Sequence, residues 1–195
     1  MRKLIVSEWM TLDGVVQAPI SPDEDTDGGF KHGGWHARHT ADPVFQQRMI
    51  DVITSASAFL YGRRTYQIFA AFWPNAPKEQ AALADPINQR PKYVVSKTLA
   101  APLPWQGSTI LNGDTAEAVS SLKRDGEGNL LVFGSTQLVA TLIEHDLVDE
   151  LRLVIDPVIV GGGKSIFPRD GSLRSLRLVD SLATATGALI TTYTR

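Results

Sequence analysis

Three short segments bring together the residue types that bind anions: Gly62-Arg63-Arg64-Thr65, Ser96-Lys97-Thr98 and Gly134-Ser135-Thr136. Arg63, Arg64 and Lys97 carry positive charge, and Thr65, Ser96, Thr98, Ser135 and Thr136 carry hydroxyl donors. A guanidinium grips a phosphate through two parallel N–H···O bonds, and a lysine acts as a compact point charge. Gly62 and Gly134 each stand where an apolar run turns into a helix-period segment. A helix N-terminus there offers unpaired N–H groups and a positive dipole end, and a glycine lets a phosphate approach the backbone. Either arginine alone reads equally well as a partner in a surface ion pair. The recurrence of the turn points to one site for a ligand with several phosphates.

Other chemistries find less support. Gly161-Gly162-Gly163-Lys164-Ser165 invites a P-loop reading, but Val158 stands where that motif needs its first glycine. The dinucleotide fingerprint G-x-G-x-x-G and the hydrolase elbow G-x-S-x-G are absent. His32, His36 and His39 have helical spacing, but Gly33-Gly34 argues against a helix there, and no carboxylate nearby completes a ligand set. No metal site is expected. Asp13 reads most simply as a turn residue, Asp42 as a helix cap, and Asp149-Glu150 as a solvated strand entrance.

The elements that position the three turns follow from apolar periodicity. The central unit is 128–167. Leu130 to Phe133 is a buried strand, and Leu138, Val139, Leu142 and Ile143 share a helix face after the turn. Leu151 to Val160 is strand again. Upstream, Lys3 to Glu8 is the first strand, and Asp42-Pro43 caps and starts a helix with Phe45, Met49, Val52 and Ile53 on one face. Ala58 to Tyr61 is a strand, followed by a helix through Phe69. Residues 78–88 are helical, 91–95 and 108–111 are strands, and 115–124 is a helix. The chain ends in two antiparallel strands, 176–182 and 188–194, with a turn near Thr186-Gly187. Alternating strands and helices followed by strands alone predict an α/β fold: a mainly parallel central sheet with antiparallel C-terminal strands. In such a sheet ligands gather at the carboxyl ends of the strands, where all three turns fall. Ala18 to His39, rich in Pro, Gly, Asp and His but carrying Phe30 and Trp35, reads as a functional loop or lid, with a disordered surface excursion as the alternative.

The 195 residues suit a single domain, 1–195. The formal net charge of −2 gives no general attraction to nucleic acid or anionic membrane. No apolar run is long enough to span a bilayer, and the N-terminus lacks a signal-peptide pattern, so a cytoplasmic protein is expected. With no cysteine, thiol nucleophiles, disulfides and cysteine-bound zinc drop out.

Thr11-Leu12-Asp13-Gly14, Gly62 to Tyr66, Val95 to Thr98, the Gly134 turn, and Leu147 to Leu153 followed by Gly161-Gly162-Gly163 together resemble the dihydrofolate reductase superfold. Over nearly the whole chain they look most like the reductase domain of bacterial riboflavin biosynthesis. The resemblance implies a three-layer α/β/α fold, a homodimer, and hydride transfer from NADPH to a small pterin- or pyrimidine-like substrate. By position it implies that Gly62, Arg63, Arg64 and Thr65 with Gly134, Ser135 and Thr136 hold the pyrophosphate. Ser96 and Lys97, with Arg64, would face the adenosine ribose and its 2′-phosphate, and Thr98 is a further cofactor-binding candidate. Asp13 and Gly14 would lie beside the nicotinamide and substrate, Asp13 as the candidate catalytic residue, and Trp35 would sit on the covering loop. The acidic helix residue of folate enzymes has no clear counterpart near Thr40 to Asp42, which argues against folate reduction. A ligand-binding module on the same fold, without turnover, is the alternative.

Overall fold

Apolar runs buried on both faces become the centre of one eight-stranded sheet. The computed structural model describes residues 1–195. Six strands run parallel: β1 (Lys3–Thr11), β2 (Ala56–Gly62), β3 (Lys92–Val95), β4 (Ser108–Leu111), β5 (Asn129–Phe133) and β6 (Glu150–Asp156). β8 (Leu189–Thr194) adds antiparallel to β6, and β7 (Arg177–Ala183) adds antiparallel to β8. The order across the sheet is β4-β3-β2-β5-β1-β6-β8-β7. Helices α1 (Pro43–Ser55), α2 (Arg63–Phe72), α3 (Ala81–Gln89), α4 (Thr115–Arg124) and α5 (Thr136–Glu144) cover the two faces, giving the dihydrofolate reductase-like three-layer α/β fold.

Side-chain alternation divides the core into two layers. Ile5, Phe59 and Leu131 point to the face packed by Phe45, Met49, Val52 and Ile53 of α1 and by Ile87 of α3. Leu4, Val6, Leu130 and Val132 point to the face packed by Val119 of α4 and by Leu138, Val139 and Leu142 of α5. The predicted buried face of α1 is thus the observed one. Asp42 caps that helix, accepting hydrogen bonds from the N–H groups of Val44 (2.9 Å) and Phe45 (3.2 Å).

The strand predicted to run to Val160 stops at Asp156, because Pro157 has no N–H for the ladder. Asp149-Glu150 are not a solvated entrance either. Asp149 Oδ2 accepts from the N–H of Leu4 (2.7 Å) and from Lys123 Nζ (2.6 Å). Glu150 is buried between Lys3 and Arg152, each 2.5 Å away. These carboxylates tie the start of β6 to β1 and α4, a non-local arrangement that no local pattern announces.

β5 is inserted between β2 and β1, and this creates the site. The chain leaves β2 for α2 on the α1 face and leaves β5 for α5 on the opposite face. Neighbouring strand ends whose helices depart to opposite sides leave a crevice between them. Registers Gly62↔Val95, Leu60↔Val132 and Ser7↔Phe133 bring the ends of β2, β3 and β5 level with the middle of β1, which runs on to Thr11.

Candidate active-site cleft

A cleft of about 640 Å³ opens across those strand ends. Its lining contains every residue of the three predicted turns: Gly62 to Thr65, Ser96 to Thr98, and Gly134 to Thr136. The volume suits a drug- or cofactor-sized ligand. At one end stand Lys97, Thr98 and Thr115; at the other stand Ser7, Glu8 and Trp9 of β1 with Val16 to Pro19. Ile68, Phe69, Phe133 and Leu138 supply apolar wall.

The two glycine turns are fastened to each other. Ser135 Oγ accepts a hydrogen bond from the Gly62 N–H at 2.8 Å. A Cβ on Gly134 would meet Thr65 Oγ1 at 3.3 Å, and Gly134 and Ser135 both adopt left-handed backbone conformations, φ +55° and +67°. That double left-handed turn frees the Ser135 hydroxyl from capping its own helix. Thus α2 and α5 both begin at the cleft without a side-chain cap, whereas α4, whose Thr115 also lines the cleft, is capped by Asp114, and α1 by Asp42. Uncapped first-turn N–H groups at a basic rim suit an anion.

The Ala18–His39 loop reaches over this rim. Asp27 pairs with Arg64 through both oxygens, and Asp25 lies 3.2 Å from the same guanidinium. Lys164 Nζ bridges Asp25 (2.6 Å) and Asp27 (2.8 Å). Arg64, and next Lys164, hold the Asp27 carboxyl far below the usual carboxylate range. Arg64 is therefore half of a latch between the loop and α2, while Arg63 and Lys97 form no ion pair. Ser96 Oγ turns inward and accepts from the N–H groups of Thr98 (3.2 Å) and Leu99 (3.0 Å), shaping the turn that carries Lys97.

The chain matches the RibD C-terminal domain over residues 2–190. It belongs to that family. The chain is similar to the uncharacterised protein YyaP of Bacillus subtilis (strain 168), 25% identical over 198 residues that span 98% of this chain and 94% of the other. Among solved structures it resembles a protein from Shewanella sp. PV-4 ascribed to riboflavin biosynthesis, at TM-score 0.70 and 19% identity over 99% of this chain and 98% of that one. It also resembles the dihydrofolate reductase of Enterococcus faecalis complexed with NADP(H), at TM-score 0.64 and 14% identity, covering 99% and 96%. These likenesses establish a reductase-type fold for this RibD C-terminal domain.

Three expected residues do not reach the cleft lining. Asp13 is exposed at the turn after β1. It accepts from Thr11 Oγ1 (2.6 Å) and from the N–H groups of Val160 (3.3 Å) and Gly161 (2.8 Å). The Thr11 hydroxyl, then the two backbone donors, lowers its pKa, so it is held ionised as a staple for the Gly161–Gly163 segment. Gly14 lies beside it, near Met10 and Ser165. Trp35 is buried, its Nε1–H donating to the Gln17 carbonyl at 2.8 Å. This contact anchors the loop.

The structure brings up two carboxylates that the turns did not announce. Glu8 lies on β1 with Leu4, Val6 and Met10 on the apolar side, lines the cleft, and is only 5% exposed. Burial alone pushes its pKa up to about 8. A charged residue in step with three apolar ones along a strand was the available signal. Asp156 ends β6, fully buried, where its Oδ2 accepts from His36 Nδ1–H at 2.9 Å and lies 3.6 Å from His39 Nε2. His36 in turn stacks on Trp9 of the cleft wall, ring centroids 4.5 Å apart.

Proposed function

We propose that the domain is an NADPH-dependent reductase acting on a carbon–nitrogen or carbonyl-type double bond of a small pterin- or pyrimidine-like heterocycle. The observation that carries this reading is the pair of uncapped helix starts, α2 and α5, facing one cleft whose rim holds Arg63, Arg64 and Lys97. In this reading the first-turn N–H groups of both helices, with Thr65, Ser135 and Thr136, hold the pyrophosphate. Lys97 and Thr98 face the adenosine end and its 2′-phosphate. The apolar wall of Phe69, Phe133 and Leu138 and the β1 end receive the nicotinamide and the acceptor. When bound, NADPH supplies the hydride. The protein contributes orientation and a dry enclosure, with the Ala18–His39 loop as cover. Turnover is tested by loss of NADPH absorbance against pterin and pyrimidine acceptors. Bound NADPH without oxidation by any of them would favour a ligand-binding module.

The assignment of Lys97 makes a separate prediction. Lys97→Ala should weaken NADPH about tenfold or more while changing NADH little, because one lysine–phosphate contact of roughly 1.5–3 kcal/mol is lost. Equal losses for both cofactors would remove the 2′-phosphate role.

The latch competes with any anion for Arg64 and Lys164. The double variant Asp25→Asn, Asp27→Asn should therefore bind inorganic pyrophosphate several-fold more tightly at low salt. The gain should shrink at high salt, since exposed ion pairs are weak and screened. Calorimetry checks this; unchanged or weaker binding would show that the acidic loop does not occupy the anion site.

This reading also places the protein in the cytoplasm, as a homodimer burying the exposed Leu173, Leu176, Leu178 and Val179 of the C-terminal arm and edge strand.

A further inference from the structure

We propose that Glu8 is the catalytic acid of the cleft, the group that gives a proton to the heteroatom of the acceptor bond. The inference rests on the reductase reading above and adds a proton donor to it; the Asp13 oxygens accept from Thr11, Val160 and Gly161. Four observations support it. Glu8 lines the cleft at its β1 end, across from the Lys97 end assigned to the adenosine. Its side chain is almost fully buried, on the strand face that carries Val6 and Met10. Its Oε1 is buried with no hydrogen-bond partner, an unusual state for a carboxyl oxygen in a folded protein. No ion pair joins it to the charged side chains of the cleft (Asp25, Asp27, Arg63, Arg64, Lys97 and Lys164) or to Glu24, and burial is the sole cause of its raised pKa.

A carboxyl in that setting keeps its proton at neutral pH, and a group near its working pH is the efficient proton donor. The step balances. A hydride from NADPH reaches the carbon of the C=N or C=O bond as its π bond opens onto the heteroatom. The Glu8 O–H bond breaks, an N–H or O–H bond forms on the heteroatom, and Glu8 is left as a carboxylate. It regains its proton from water once the product has left. A neutral acid would thus match the reduced, uncharged ring of a bound cofactor, and a carboxylate would match the oxidised, cationic ring. The buried site carries no net charge in either state, which limits the cost of placing charge in a low-dielectric cleft.

That charge matching can be read without a substrate. Calorimetric titrations with NADP+ and with NADPH at pH 7, each in two buffers of different ionisation enthalpy, count the protons exchanged on binding. For the wild type, NADP+ should release up to about one proton more than NADPH, because the cationic ring drives Glu8 to ionise. Proton exchange at the 2′-phosphate is common to both cofactors and cancels in the difference. In Glu8→Gln the difference should vanish while NADPH still binds, which also reports that the isosteric variant is folded. Equal proton counts for the two cofactors in the wild type, or a difference that persists in Glu8→Gln, would overturn the assignment of Glu8 and leave the cofactor reading standing. Failure of the wild type to bind either cofactor would remove the reductase reading, and the role of Glu8 with it.

Discussion

Replacing Glu8 by Gln should stabilise the protein by about 3 kcal/mol at pH 7, a rise in Tm of roughly 6–12 °C for a domain of this size. The sign follows from the raised pKa. Unfolded, the carboxyl titrates near its ordinary 4.5; folded, it titrates near 8. The folded state therefore binds the proton more tightly. The carboxyl's contribution is fully present below about pH 4.5 and is lost progressively as the pH rises through 8. At pH 7 the difference amounts to about 1.4 kcal/mol for each of roughly 2.5 pH units. Glutamine has nearly the same shape and no charge to suppress, so the variant's advantage should grow from near zero at pH 4 to its full value above pH 8. Thermal unfolding of both proteins across that range checks it. A stability difference that does not vary with pH would mean that Glu8 is not held neutral by the fold. The same substitution removes the proposed proton donor, a cost in stability kept at a place where chemistry requires it.

Asp156→Ala should act in the opposite direction, costing about 3–5 kcal/mol. Asp156 joins the end of β6 to the far part of the Ala18–Asp42 segment through His36, with His39 behind it. Its removal leaves the His36 Nδ1–H without an acceptor in a buried place and takes away a buried negative charge beside two imidazoles. Asp156→Asn, which keeps a carbonyl oxygen for His36, should cost less. Denaturant unfolding gives the magnitude, and limited proteolysis between Ala18 and His39 shows whether the loop has been released. A change within 1 kcal/mol, or an unchanged cleavage pattern, would refute the anchoring role.

His39 adds a pH dependence to this anchor. Burial lowers its pKa, against the opposing pull of Asp156. His39 Nε2 accepts from Arg38 Nε at 3.1 Å, and Nδ1 shares a hydrogen bond with Thr186 Oγ1 at 2.8 Å, an arrangement of the neutral ring. A depressed pKa contributes stability that is present above about pH 6.5 and is lost as the pH falls through the folded value. Without Asp156 the pKa should fall further, so the acid slope of Asp156→Ala should be the steeper one.

The legibility of the sequence divides along the same line. The strands of the sheet centre, the buried face of α1 and the three cleft turns rest on local signals: apolar period, a capping Asp-Pro, and glycine at strand ends. Those signals are carried by the turn residues themselves, so the gathering of Gly62, Lys97 and Ser135 in one cleft is legible in the sequence. Glu8 was hidden inside a strand, where one polar residue hardly disturbs an apolar run. Its significance depends on β5 being slotted beside β1, a matter of topology. Asp156, His36 and His39 are distant in the chain and become one cluster only when the long loop folds back over the end of β6. Asp13 shows the reverse case. Its motif fits the family resemblance, but its oxygens are occupied by Thr11, Val160 and Gly161.

In the proposed function, the cleft of this RibD C-terminal domain binds NADPH through its two uncapped helix starts and its basic rim. The most direct test is a titration of the wild-type protein with NADPH and, separately, with NADH, followed by nicotinamide fluorescence. Saturable binding of NADPH, clearly tighter than NADH and weakening with salt, is the predicted result. No binding of either cofactor, or equal binding of both with no dependence on salt, would contradict it.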